Sequence, residues 1–283
     1  MNDLIFDYIN YNKDRIIFKN LKIDVKKEKR IKNYSSTYYE YHYVPCVSFT
    51  SYLNESIRKQ YDIFDKNIGN QMEDNSLFFA NIFSEFILKL LNHIYEEIIK
   101  IRTDITFEEM KKQFYILPSV ASTKERTRSK FYRLFELISE KTGVNNGYEF
   151  VYNKMKSDIR IGEIEEKDFP KYVAVELYKI NRNYKLIFID DIINTGDTFS
   201  QYAKRVFNNS SSYDGKFLLF LSFAKVFNNC SYKFEEYNKL NERIELERYI
   251  GHKSYKLKNG FYKINDEILN AIWESASYSF NIK

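Results

Sequence analysis

The sequence predicts an α/β protein: a parallel sheet flanked by helices. Three observations carry this expectation. Short, continuous apolar runs occur at Phe114 to Leu117 (FYIL), Leu186 to Ile189 (LIFI) and Phe217 to Phe223 (FLLFLSF), each too short for a helix and too uniformly apolar for a half-exposed strand. Such runs fit strands buried on both faces. Behind the first two, apolar residues recur at the spacing of one helix face: Phe131, Leu134, Phe135, Ile138, and then Phe199, Tyr202, Ala203, Val206, Phe207. The 283 residues, 44% hydrophobic and 29% charged, are enough to bury a sizeable core.

Composition excludes several classes. Two cysteines, Cys46 and Cys230, have neither pairing nor metal-ligand spacing, so a disulfide framework and a zinc cluster are not expected, and a reducing cytoplasm is the default. The net charge of +5 arises from 44 basic and 39 acidic residues, a balance that neither implies nor excludes nucleic acid. The N-terminal stretch MNDLIFDYINYNKDR lacks the basic start and apolar core of a signal peptide. The most apolar segment, Leu77 to Leu91, is interrupted by Glu85 and Lys89 and falls short of the roughly 20 residues of a membrane span, so no membrane association is expected.

Residues 1–111 form a largely helical, mixed extension in this reading, with a helix near Ser76 to Lys100 striped by Leu77, Phe78, Ile82, Phe86, Leu90, Ile94 and Ile98. His93 falls on that helix and reads as a polar flank. Upstream, Lys22 to Lys32 (KIDVKKEKRIK) is a basic run suited to a solvated surface or edge hairpin. Tyr34, Tyr38, Tyr39, Tyr41 and Tyr43 make a strand-like aromatic patch, a binding surface or simple packing.

The α/β core is expected over 112–227. Its first strand ends in Pro118-Ser119-Val120-Ala121, Ser122 and Glu125 form an S-x-x-E capping box for the next helix, and Thr142-Gly143 closes it. Asn146-Gly147 signals a turn, followed by strand-like segments at Tyr148 to Tyr152 and Tyr172 to Leu177 around a polar stretch. Residues 228–283, including Trp273, form a C-terminal extension.

The chemistry concentrates at 186–198, LIFIDDIINTGDT. Here an apolar strand runs into two adjacent acids, then into a turn that feeds a helix. Ligands of open α/β sheets bind outside the carboxyl ends of strands, and a loop entering a helix N-terminus favours an anion. Gly196 permits close approach or positive φ, and Thr195 and Thr198 add hydroxyl donors. Ionised Asp190 and Asp191 only accept hydrogen bonds, which suits sugar hydroxyls or the hydrated shell of Mg²⁺. Phosphate donors on one side and hydroxyl acceptors on the other suggest a ribose 5-phosphate. A receiver domain, which also carries paired acids, fits poorly: 92 residues follow Asp191, and no strand-end aspartate for phosphorylation appears among them.

The run IFIDDIINTGDTF resembles the PRPP-binding signature of the type I phosphoribosyltransferases, an apolar strand, two acids, a few residues and Thr-Gly-x-Thr. Compatible flanking elements extend the likeness over residues 112–227, in a layout most similar to the competence-protein type. The resemblance implies that Asp190 and Asp191 are the catalytic pair holding the ribose 2′- and 3′-hydroxyls, while Asn194, Thr195, Gly196, Asp197 and Thr198 wrap the 5′-phosphate. It further implies that Ser119 and Val120, with Lys124, Arg126 and Arg128, receive pyrophosphate; alternatively the three cations are exposed first-turn charges. Lys154, Lys156 and Arg160 would reach pyrophosphate from a closing loop, and residues 228–283 would be the hood that recognises the acceptor. Mg²⁺ would be held by diphosphate and ribose oxygens, with Asp191 acting indirectly.

The implied reaction is displacement of pyrophosphate from PRPP, or transfer from a related ribose phosphate, by a nitrogen nucleophile through an oxocarbenium-like state. Two residues depart from the family pattern. Asn194 stands where purine-type enzymes carry an acid, and Asp197 places a carboxylate near the expected dianionic phosphate. They keep open a non-catalytic nucleotide-sensing module, and the resemblance itself leaves open an effector of a bacterial anti-phage defence system of the retron type. The partners implied are PRPP or a nucleotide-like molecule and a protein docking on residues 1–111; a homodimer is compatible.

Overall fold

The structure, a computed structural model, describes residues 17–31, 34–53, 76–119, 131–154, 168, 172–176, 180, 184–193, 196–208, 217–227 and 266–277. It is a mixed α/β architecture around a six-stranded, mostly parallel sheet. The strands are β1 (Ile17–Ile31), β2 (Tyr34–Leu53), β3 (Phe114–Pro118), β4 (Asn145–Asn146), β7 (Lys185–Ile193) and β8 (Leu218–Phe227), in the order β1-β2-β8-β7-β3-β4. Only β1, paired to β2, is antiparallel; all other pairs run parallel. A separate antiparallel ribbon pairs β5 (Val151–Asn153) with β6 (Val173–Val175).

Side-chain alternation along the central strands explains why both faces are covered. Ile187 and Ile189 of β7 point into one core with α1 (Ser76–Ile99), α2 (Phe107–Lys111), α3 (Tyr132–Thr142) and α5 (Asp266–Ser277). Leu186 and Phe188 point into the other, against α4 (Asp197–Asn208), the β5–β6 ribbon and β1. Period-2 geometry thus divides one apolar run between two cores, as a doubly covered strand requires. Phe199 of α4 stacks on Phe220 of β8 with centroids 4.3 Å apart, and all five residues of the expected α4 stripe are buried.

The expected strands at 114–117, 186–189 and 217–223 are present, and so is the helix near 76–100. Gly143, at φ +74, closes α3 with its N–H on the Ser139 carbonyl. Other expectations need correction. The N-terminal extension is not largely helical: its described residues include a β-hairpin of 15- and 20-residue strands whose second strand pairs with β8 from Cys46↔Phe220 to Leu53↔Phe227. Leu21, Ile23 and Val25 alternate with Lys22, Asp24 and Lys26, a strand pattern that lets β1 bury one side against α4. The sheet therefore runs across the 111/112 division.

α3 begins at Tyr132, after Phe131 takes a left-handed φ of +65 that no helix continues through. Ser122 and Glu125, the expected capping box, lie outside the described residues. Tyr148–Phe150 is a 3-10 turn, so the strand expected from Tyr148 starts at Val151. α1, 24 residues, is long and apolar enough to cross a membrane by length and composition alone. It is nonetheless a core helix: Phe79, Phe83, Phe86, Ile87, Leu90, Leu91 and Ile94 are buried against the sheet, and Glu85 pairs with Lys89 at 3.0 Å. α5 packs on α1 and β2 as part of that same layer, and residues 228–265, most of the expected hood, lie outside the described residues.

Candidate functional site

Two crossovers leave the middle of the sheet in opposite directions. β3 passes through α3 to β4, while β7 passes through α4 to β8 on the other side. Parallel crossovers are right-handed, so opposite directions put α3 and α4 on opposite faces. The strand order reverses between β3 and β7, and a crevice at their carboxyl ends is where open α/β sheets take ligands.

Asp190 and Asp191 sit beside that reversal. The β3–β7 ladder ends at Pro118↔Ile189, one residue before the acids, whereas the β7–β8 ladder continues through Asp190↔Ser222 to Ile193↔Lys225. The acids are therefore not the end of β7, as expected from sequence, but lie where its neighbour stops. Pairing to β8 keeps the backbone extended for three residues past Asp190, while loss of β3 opens one side. Asp190 Oδ1 accepts the Asp191 N–H at 2.9 Å, and Asp191 Oδ1 accepts the Ile192 N–H at 2.7 Å. Both residues are half-buried.

The Asp190 carboxyl is held well above the ordinary carboxylate range, first by desolvation, then by the charge of Asp191 and a hydrogen bond between the two groups; the Ser119 hydroxyl pulls the other way. The charge of Asp191 thus acts on the Asp190 carboxyl from the next residue along the strand. Tyr202 of α4 stands near Asp190: burial foremost, then the Asp190 charge, pushes its phenol upward. Sequence reading counted Tyr202 only as part of the apolar stripe. A phenol in an otherwise aliphatic and phenylalanine face was the available signal.

Ser119 follows β3 directly, buried, with its N–H donating to the Ile189 carbonyl at 3.1 Å and its hydroxyl reaching the same oxygen at 3.3 Å. Its amide is therefore engaged within the sheet, and its hydroxyl lies between the two strands beside Asp190. Opposite, Ser222 Oγ lies 2.6 Å from Ser48 Oγ, a buried hydroxyl pair tying β8 to β2 behind the acids.

Of the expected phosphate loop, Gly196, Asp197 and Thr198 are described; Asn194 and Thr195 are not. Gly196 has φ +96, and its carbonyl accepts the Ser200 N–H at 2.8 Å, starting α4. A Cβ there would lie 3.2 Å from Leu21 Cδ2, so the β1 hairpin presses on this bend. Asp197 is exposed in the first helical turn, and Thr198 is half-buried. Lys154 closes β5, exposed, with its N–H on the Tyr172 carbonyl at 2.7 Å. Val120, Lys124, Arg126, Arg128, Lys156 and Arg160 lie outside the described residues.

Among the described residues no three acidic, histidine or cysteine side chains gather into a metal cluster. A pair of adjacent carboxyls is a hard-oxygen donor set that fits Mg²⁺ held mainly through ligand oxygens and water. Chemically, the arrangement offers two acceptors at a strand-order reversal and a glycine bend leading into a helix N-terminus. No protein-family model matches the chain, and no curated protein matches it.

Proposed function

We propose that this crevice binds PRPP or a related ribose 5-phosphate together with Mg²⁺, in the manner of the type I phosphoribosyltransferases that residues 187–199 resemble. The observation that carries the reading is the acid pair at the reversal between β3 and β7, six residues before a positive-φ glycine that opens α4. Asp190 and Asp191 would accept from the two ribose hydroxyls, and the turn at Gly196 to Thr198 would present N–H groups and a hydroxyl to the 5′-phosphate. Bound Mg²⁺ would supply charge neutralisation of the diphosphate. The chain's own contribution is to hold the sugar against the acids, where a developing positive charge on the ribose is favoured. In this reading a nitrogen nucleophile displaces pyrophosphate.

Binding without turnover is the second reading. Asn194 cannot take a proton from an incoming base, and the exposed carboxylate of Asp197 in the first turn of α4 weakens that turn's attraction for a dianion. Titration calorimetry with Mg-PRPP on the wild type and on Asp190→Asn/Asp191→Asn tests the site. Affinity lost in the double variant supports it; identical isotherms, or no heat with the wild type near millimolar ligand, refute it. Pyrophosphate release in the presence of nucleobases then separates transferase from sensor.

A further inference from the structure

The hairpin carries a surface that the crevice does not use. Strand β2 pairs with β8 only from Cys46 onward, so residues 34–45 and their β1 partners project past the sheet. On one face of this projection Tyr39, Tyr41 and Tyr43 stand in a row, 56%, 57% and 62% exposed. Directly opposite them on β1 are Lys26, Asp24 and Lys22. The opposite face is spent on the fold: Leu21, Ile23 and Val25 are buried, and His42 stacks on Phe207 of α4 at 4.0 Å.

Three adjacent exposed aromatic rings are costly to leave in water, and these are arranged for stacking. Alternate residues on a strand lie about 7 Å apart, which leaves each ring a separate platform. Lys22 Nζ already sits 4.1 Å from the Tyr41 ring centroid, while also pairing with Asp24 at 3.6 Å, so a cation lies among the rings rather than beyond them. Between Lys22 and Arg30, β1 holds five basic residues against two acidic ones, and the 34–45 segment of β2 adds one acid, Glu40. The projecting hairpin is thus positive within a nearly balanced chain.

We propose that this Tyr39–Tyr41–Tyr43 face binds single-stranded nucleic acid, with bases stacked on the rings and the backbone drawn along the lysines of β1. Unpaired bases offer π-faces that a duplex hides, and the pairing of ring with cation is the chemistry by which sheet surfaces hold single strands without reading sequence. An apolar protein partner would have little use for three phenol hydroxyls interleaved with charges. The surface is independent of the ribose-phosphate crevice.

The test is fluorescence anisotropy of the full chain with a labelled oligo(dT) and an oligo(U) of about 20 nucleotides, longer than one platform needs. Binding should weaken steeply between roughly 50 mM and 200 mM salt. Tyr39→Ala and Tyr41→Ala should each cost about ten-fold in Kd, the order expected for one stacked base. Lys22→Glu/Lys26→Glu should weaken binding and flatten the salt slope. Tyr38→Ala, on the other face, should leave Kd unchanged, and the exposed positions allow folding to be checked by circular dichroism. If the tyrosine variants fail to fold, the lysine pair carries the test. The proposal is overturned by no binding at about 100 μM protein in low salt, by duplex bound as tightly as single strand, by binding indifferent to the tyrosines and lysines, or by light scattering showing that the face is buried in a homodimer.

Discussion

Lys185 opens β7 with 1% of its surface exposed, its ammonium donating to Gln113 Oε1 at 2.8 Å. Burial, with the Arg102 charge adding to it, pushes its pKa down from 10.5 to about 8. Below pH 8 the lysine is protonated in both folded and unfolded chains, and folding bears the full cost of desolvating the ion. Between about 8 and 10.5 the unfolded chain holds the extra proton, so stability rises with pH as the cost is relieved. A shift of that size corresponds to about 3 kcal/mol, most of it recovered by pH 10. Tyr184 works in the opposite sense: burial pushes it from 10.0 up to about 12, so its contribution to stability starts to fall near pH 10. The net expectation is a gain of about 2 kcal/mol between pH 7 and pH 10, measured by urea unfolding at constant ionic strength. Lys185→Met should remove the rise over that window while leaving the fall above it. A flat wild-type profile, or the same rise in the methionine variant, would show that Lys185 is not the group responsible.

Asp190→Asn should stabilise the fold at neutral pH by about 0.5–2 kcal/mol while abolishing ribose-phosphate binding, because the acid's raised pKa means its charged form is the one folding disfavours. For the same reason the wild type's deficit relative to this variant should shrink as pH falls toward the ordinary carboxylate range, seen as converging urea midpoints. Gly196→Ala should cost about 1–3 kcal/mol, from φ +96 and a Cβ 3.2 Å from Leu21 Cδ2, and an unchanged midpoint would contradict that geometry. Ser48→Ala should cost about 1–3 kcal/mol by stranding the buried Ser222 hydroxyl, whereas Ser48→Ala/Ser222→Ala should recover part of the loss; additive losses would sink this account.

What was legible in the sequence was local. Leu186 to Ile189 read as a doubly buried strand because each of its residues is apolar, and the stripe from Phe199 to Phe207 read as one helix face because its period is 3.6. The acid pair and Gly196 stood out as chemistry because their spacing sits between those two elements. Less legible was the reach of β7: Asp190, Asp191 and Ile192 look like a strand end, but pairing with β8 carries the strand on to Ile193. The apolar stripe that begins at Phe131 likewise says nothing of the left-handed turn there, after which α3 starts at Tyr132. The hairpin's alternation was visible in Lys22 to Lys26, but its partner strand lies more than 160 residues away in sequence, at Phe220 to Phe227.

By itself the sequence determined the buried strands at 114–117, 186–189 and 217–223 and the apolar faces of the helices beside them, because period and side-chain chemistry act over a few residues. Tertiary structure alone decided that the hairpin completes the sheet, that the acids fall beside the end of β3, and that Asp190 is desolvated next to Ser119 and Tyr202. Those outcomes depend on which distant strands hydrogen-bond and what their packing removes from water, and no local pattern encodes that choice.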